Sequence, residues 1–122
     1  MSNIKYIVTC LIFFSSTSFS HVEHSTDWMP ENSFTTGVEG PAVDKNGDLF
    51  AVNFSMNGTI GKVTEKNHGQ IYLTLPNGSI GNGIRFDQQG NMYIADYVNH
   101  NVLIVDHKTK AVTVYSHNDK MN

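Results

Sequence analysis

Glu39 and Asn82 are the two residues whose types and positions point most directly to chemistry. Each stands immediately before a glycine, Gly40 or Gly83, and the two lie 43 residues apart. Carboxylate and amide oxygens that converge on one point suit Ca²⁺, which takes about six to eight oxygen ligands at about 2.3–2.6 Å. Glu39 is therefore a candidate metal ligand and Asn82 a candidate substrate or metal ligand. The alternative is that Asn82 is a turn residue and Glu39 a solvated loop acid.

An internal repeat is the reason for treating these two positions as equivalent. Residues 38–52 align with residues 81–95 without a gap, and the same offset is expected to hold further along the chain. In both copies an Asp-x-x-Gly motif predicts a tight turn, because Gly tolerates positive φ and Asp accepts backbone hydrogen bonds. The matched pairs are Gly40 and Gly83, Asp44 and Asp87, Gly47 and Gly90, Phe50 and Tyr93, and Ile60 and Leu103.

Each repeat predicts four short strands, because runs of Val, Ile, Tyr and Phe alternate with Gly, Asn and Asp turns. The expected strands of the first unit pass through Val43, Leu49–Val52, Thr59–Val63 and Gln70–Leu75, and those of the second through Phe86, Met92–Ala95, Val102–Asp106 and Ala111–Ser116. Four antiparallel strands in about 43 residues is the size of one propeller blade. The sequence thus predicts an all-β partial β-propeller of about two blades, residues 37–79 and 80–122.

Two blades are too few to close a propeller, whose rings contain about four to eight blades. The open faces and edges favour self-association through the blade edges. We therefore expect the chain to be the first part of a larger, six-bladed ring. Assembly of several copies into a ring and a degraded, non-functional product are the alternatives.

The first 20 residues are typical of a secretory signal peptide. Lys5 precedes an apolar run at residues 7–14, and small residues follow up to Ser18-Phe19-Ser20. The run is far shorter than the roughly 20 residues needed to span a bilayer; an ordinary buried strand is the alternative. The sequence predicts cleavage after Ser20, a periplasmic or secreted protein, and a polar segment at residues 21–36 before the first blade.

Charge and cysteine content narrow the range of partners. Removal of the signal leaves seven Lys and Arg against eleven Asp and Glu, a net charge of −4, with no cluster of basic residues. This argues against nucleic acid as a partner and, after signal cleavage, against a membrane. The single cysteine, Cys10, leaves with the signal, so the core is expected to form without a disulfide.

Several motifs resemble the senescence-marker-protein (regucalcin)/gluconolactonase family. The Glu-Gly-Pro motif beginning at Glu39, followed by Asn-Gly at Asn82, is the most specific part of the match. The resemblance covers about residues 37–106. The similar segments are 37–41, 47–50 and 58–63 for the opening blade, and 81–87 and 90–96 for the second blade.

The resemblance implies a six-bladed propeller that holds one divalent metal, preferably Ca²⁺, and hydrolyses a lactone or sugar acid derivative. The family's metal-ligating glutamate falls on Glu39, and the asparagine that contacts substrate or metal falls on Asn82. Further ligands, an Asn and an Asp, come from later blades, so we expect this chain to be inactive alone. Ile80 stands where some members carry a substrate-binding arginine. The competing hypothesis is a non-catalytic NHL-like propeller that binds a protein or sugar, and Asp96 is interpreted as a structural residue.

Overall fold

A computed structural model describes residues 23–120 of the chain, and the predicted signal peptide, residues 1–20, lies outside them. Within residues 23–120 the structure contains strands and no helix, so this part of the chain includes no helix that could cross a membrane. The strands are β1 (Ala42–Val43), β2 (Leu49–Val52), β3 (Thr59–Glu65), β4 (His68–Thr74), β5 (Gly81–Phe86), β6 (Met92–Asp96), β7 (Asn101–Val105) and β8 (Val112–His117).

The strands form two four-stranded antiparallel sheets, in the orders β1-β2-β3-β4 and β5-β6-β7-β8. We name the first sheet blade 1 and the second blade 2. The turns that connect the first two strands of each sheet use the predicted aspartates. The Oδ1 atom of Asp44 accepts hydrogen bonds from the Asn46 and Asp48 amides, and Asp87 accepts one from the Asn91 amide. The fold is an all-β partial β-propeller of about two blades, as the repeat predicted.

The core lies between the two sheets. Side chains alternate along each strand, so each blade has two faces. The back face of blade 1 carries Phe50 and Val52 and packs on the front face of blade 2, which carries Ile84 and Ile94. The rings of Phe50 and Phe86 make contact across this interface, with centroids 5.2 Å apart. Since all four core residues are at most 3% exposed, the two blades share one hydrophobic core.

The third strands do not keep the predicted offset of 43 residues. Val52 pairs with Ile60 in blade 1, whereas Ala95, 43 residues after Val52, pairs with Val102 in blade 2. Val102 is therefore the equivalent of Ile60, and the predicted match of Ile60 with Leu103 is wrong by one residue. A shift of one residue in a strand turns each side chain to the opposite face. The cause lies in the connection between the second and third strands, because seven residues separate the paired Val52 and Ile60, whereas six separate the paired Ala95 and Val102.

The fourth strands return to the original offset, because five residues separate the paired Val63 and Gly69, whereas six separate the paired Val105 and Val112. Tyr72 is the extra residue of a β-bulge between β3 and β4, and Tyr115 is the extra residue of the corresponding bulge between β7 and β8. These tyrosines are again 43 residues apart. All four strands of the repeat are thus present in both blades, whereas the spacings across the two connections that flank the third strand differ by one residue in opposite directions.

The end of the predicted polar segment, residues 21–36, is held against blade 1. Phe34 forms an isolated β-bridge with Phe54, and their rings lie 5.1 Å apart at 83°. Phe54 in turn covers Gly61 and Gly69, where an added Cβ would lie 2.5 Å and 2.7 Å from Phe54 atoms. Glycine at these two strand positions therefore makes room for the Phe54 ring.

Candidate functional site

The chain just before β1 approaches the beginning of β5 at backbone distance. Gly40 has a φ of 48°, and a Cβ there would overlap the Gly83 Cα and lie 2.9 Å from the Asn82 carbonyl oxygen. Pro41 follows; it has no N–H to donate to a ladder, consistent with β1 beginning only at the next residue. This close contact places Glu39 beside Asn82, where the first strands of both blades begin.

Asn82 is the extra residue of a β-bulge. Gly81 pairs with Asp96 and Gly83 with Ala95, so Asn82 has no partner in the ladder. Bulges of this kind redirect a side chain and are frequent beside functional sites. Asn82 is exposed, and together with Glu39 it lines a cavity of about 350 Å³. The structure therefore brings together the two residues that the sequence singled out.

Two other polar side chains of this cavity, those of Asn53 and Asn57, are already engaged, and the Asn57 Oδ1 accepts a hydrogen bond from the Thr35 hydroxyl at 3.0 Å. The Asn53 side chain donates to the Gly37 carbonyl at 2.6 Å and accepts from the Gly58 amide at 3.0 Å. By contrast, neither the Glu39 carboxylate nor the Asn82 amide makes a hydrogen bond or ion pair with any residue of the described part of the chain. Their oxygens are therefore available to a ligand. The cavity is lined by Thr36, Gly37, Glu39, Asn53, Asn57, Ile80, Gly81, Asn82 and Tyr97.

The donors at this cavity fit a hard cation in kind but not in number. Glu39 and Asn82 offer oxygen atoms, which Ca²⁺ prefers. Among residues 23–120 no three His, Cys, Asp or Glu side chains lie close enough together to hold a metal ion. A cation bound to these two side chains would keep most of its ligands as water, unless further donors come from outside the two blades.

Asp96 fixes the segment that leads into the cavity. Its side chain is buried, and its Oδ1 accepts hydrogen bonds from the backbone amides of Ile80 and Asn99, both at 3.3 Å. Burial alone raises the pKa of this carboxyl, but hydrogen bonds from Ser79, Asn99 and Asn101 outweigh it, so the pKa lies below its usual value. These bonds agree with the structural role that the sequence suggested for Asp96.

Two residues of the cavity wall, Asn53 and Tyr97, were not identified from the sequence. Both directly follow the second strand of a blade, β2 or β6. Because neighbouring strands are antiparallel, the end of the second strand lies beside the start of the first, where Glu39 and Asn82 lie. The predicted strand order was therefore sufficient to place Asn53 and Tyr97 beside Glu39 and Asn82.

Comparisons with protein-family models and with curated proteins find no match to this chain. Any assignment of function rests on the cavity that contains Glu39 and Asn82 and on the motif resemblance.

Proposed function

We propose that these two blades form part of the metal site of an exported, calcium-dependent lactone hydrolase of the gluconolactonase type. The observation that carries the proposal is the juxtaposition of Glu39 and Asn82 at the same end of two neighbouring blades, in one cavity. Equivalent positions of successive propeller blades surround a common axis, so donors from several blades converge there. Ca²⁺ is the preferred metal because both donors are oxygen atoms.

A bound divalent cation would polarise a lactone carbonyl and activate water. Glu39 would bind the cation through its carboxylate, and Asn82 would bind either the cation or a substrate hydroxyl. Ile80 and Tyr97 would contact the less polar parts of a small lactone or sugar acid. In the described part of the chain this cavity contains no second carboxylate to act as a base. We therefore propose that the base and the missing ligands belong to further blades.

Calcium binding tests the first step of the proposal. Titration of the purified chain with Ca²⁺, followed by NMR, is expected to shift the Asn82 side-chain amide with a dissociation constant of roughly 1 mM, a value typical of weak calcium sites. Glu39→Gln should abolish the shift. Glu65→Gln is the matched control, since Glu65 is exposed at the end of β3 and does not line the cavity. Equal calcium affinity of Glu39→Gln and the wild type would contradict the proposal.

The second step is recognition of a sugar acid. We expect gluconate, the product of gluconolactone hydrolysis, to perturb the Ile80 and Asn82 resonances only when Ca²⁺ is present. Binding of sugars without calcium would instead support the non-catalytic, NHL-like alternative. Calcium-dependent lactone turnover by this chain alone would contradict the assignment of the base to further blades.

A further inference from the structure

A second cavity, of about 400 Å³, lies between the two blades at the end of the sheets away from Glu39 and Asn82. We name it the inter-blade cleft. The turns that connect β1 to β2, β5 to β6 and β7 to β8 all lie at this end, because neighbouring strands are antiparallel. The cleft opens between the back face of blade 1 and the front face of blade 2, which pack on each other. Further blades of a propeller would pack on the other two faces, so they would leave the inter-blade cleft as it is.

The inner wall of the inter-blade cleft is aromatic. The buried Phe50 ring has its centroid 5.1 Å from that of Tyr72 and 5.2 Å from that of Phe86. Tyr72 and Phe86 are half-buried and line the cleft, so each keeps part of its surface open to it. Ligand pockets typically combine a volume of about 300–1,000 Å³ with a mainly apolar lining and a few polar groups. The inter-blade cleft therefore has the size and the apolar surface to accept a small ring.

Two lysines from opposite blades reach across this cleft. Lys45, in the turn between β1 and β2, extends toward blade 2, where its Cε lies 3.9 Å from the position of a Cβ at Gly90. Lys110, in the turn between β7 and β8, extends toward blade 1, where its Nζ lies 4.6 Å from the centroid of the Tyr72 ring. Both lysines are exposed and line the cleft. Each blade thus contributes one ammonium group on the solvent side of the aromatic wall.

These two lysines are not neutralised by the protein. Lys62, the third lysine of the cleft, forms an ion pair with Asp48, in which the Nζ to Oδ2 distance is 2.6 Å. By contrast, neither Lys45 nor Lys110 forms an ion pair with any residue of the described part of the chain. Their positive charges are therefore available to an anion that enters the cleft.

Two carboxylates also line the cleft, but their own turns engage them. The Oδ1 of Asp44 accepts hydrogen bonds from the backbone amides of Asn46 and Asp48, and its Oδ2 accepts one from the Asn46 side chain. The carboxylate of Asp87 accepts hydrogen bonds from both the backbone and the side-chain amide of Asn91. Both aspartates thus serve the turns, and two unpaired ammonium groups remain to attract an anion.

We propose that the inter-blade cleft binds a small organic anion in which a carboxylate is attached to an aromatic ring. The ring packs on the open parts of Tyr72 and Phe86, and the carboxylate accepts charge-assisted hydrogen bonds from Lys45 and Lys110. An inorganic anion would leave the aromatic wall unused, and a neutral ring would leave the two ammonium groups unpaired. The site is separate from the Glu39 and Asn82 cavity, so it does not depend on calcium or on the proposed hydrolase function.

Titration of the purified chain with benzoate, followed by NMR, tests this site. We expect saturable shifts of the Tyr72 and Phe86 ring signals with a dissociation constant of roughly 1 mM, a value within reach of a ligand of this size. The Asn82 side-chain amide should not shift, and calcium should have no effect. Acetate, which lacks the ring, and benzyl alcohol, which lacks the charge, should each bind at least about tenfold more weakly.

Lysine substitutions locate the charge that attracts the ligand. Lys45→Gln and Lys110→Gln should each weaken benzoate binding by roughly threefold, within the range of an exposed ion pair. Lys108→Gln is the matched control, because it removes the same charge from the turn that contains Lys110. Lys108 is exposed and does not line the cleft, so its substitution should leave the affinity unchanged.

The absence of saturable shifts at Tyr72 and Phe86 would overturn the proposal. Affinity for acetate or benzyl alcohol equal to that for benzoate would also overturn it, since the ligand would then need only one of its two parts. Equal losses in Lys45→Gln and Lys108→Gln would assign the attraction to net charge and would overturn it too. Glu39→Gln should bind benzoate like the wild type, so this test succeeds or fails separately from that of the calcium site.

Discussion

The two outer sheet faces of this molecule, the front face of blade 1 and the back face of blade 2, which carries Tyr93 and Tyr115, differ in how far they are covered. On the front face of blade 1, Ala51 and Val63 are 5% and 2% exposed, although no blade precedes them within the described chain. On the back face of blade 2, Tyr115 is 65% exposed. The difference comes from the loop after β2, where Phe54 folds over the sheet. A single aromatic residue with a short flanking segment therefore buries part of a sheet face that no other blade of the described chain covers.

Removal of the Phe54 ring, which covers part of the front face of blade 1, is expected to have the largest effect on stability. Phe54→Ala is expected to lower the free energy of unfolding by about 3 kcal/mol, because it leaves two glycines and a buried sheet face uncovered. Urea unfolding measures the change. Val43→Ala, on the same face but exposed, should change stability by less than about 0.5 kcal/mol. Equal effects of the two variants would show that Phe54 does not protect this face.

A second substitution tests whether Phe54 and a side chain at position 61 occupy the same space. Gly61→Leu reproduces the Leu103 of blade 2, so alone it should clash with Phe54 and destabilise the fold by about 1–3 kcal/mol. Combined with Phe54→Ala, the new leucine should refill the vacated space, making the double variant more stable than Phe54→Ala alone. A double-mutant cycle measures this coupling. Strict additivity would mean that the two side chains do not compete for one volume.

The two blades carry different buried polar residues at one equivalent position. Asn53 of blade 1 and Asp96 of blade 2 are equivalent and both buried, but only Asp96 can ionise. Its pKa is lowered in the folded protein. Its ionised form therefore stabilises the fold above an unfolded pKa of about 3.9, and this contribution is lost as the pH falls through the lower, folded pKa.

Asp96→Asn should therefore cost about 1–2 kcal/mol near neutral pH, because charge-assisted hydrogen bonds are lost. The difference from the wild type should shrink in acid. Urea unfolding at neutral and acidic pH provides the measurement. A difference that is independent of pH would mean that Asp96 contributes through shape rather than charge.

The smallest expected effect concerns the contact that covers the back face of blade 1. The Lys110 ammonium of blade 2 lies 4.6 Å from the centroid of the Tyr72 ring. Lys110→Ala should reduce the free energy of unfolding by about 0.5–1 kcal/mol, the range of an exposed cation–π contact. Lys108→Ala, in the same turn, is the control and should have no measurable effect. A similar loss in both variants would assign the effect to net charge.

The sequence was most informative where local chemistry determines structure. The Asp-x-x-Gly motifs at Asp44 and Asp87 predicted both turns, because side-chain acceptors and a positive φ act within a few residues. The same offset placed Glu39 and Asn82 at one end of the blades, and the structure brings them to one cavity. Their role in binding a metal stays a prediction.

The sequence was less informative where distant segments meet. The slip of one residue before β7 follows from strand pairing, which no local pattern near Val102 specifies. The packing of Phe54 on Gly61 and Gly69 joins a loop to two strands, and its only signal was glycine within a strand. Tyr72 and Tyr115, in contrast, are 43 residues apart, so an alignment of the two repeats could have identified them as equivalent.

The contact between Gly40 and Gly83 sets the separation of the blades at their inner end through main-chain atoms alone. The spacing of the Glu39 and Asn82 backbones is thus independent of side-chain conformation. Any larger residue at position 40 would force the two sheets apart and so separate Glu39 from Asn82, although both side chains would still be present. Substitution of Gly40 would therefore change the cavity, although Gly40 contributes no functional group to it.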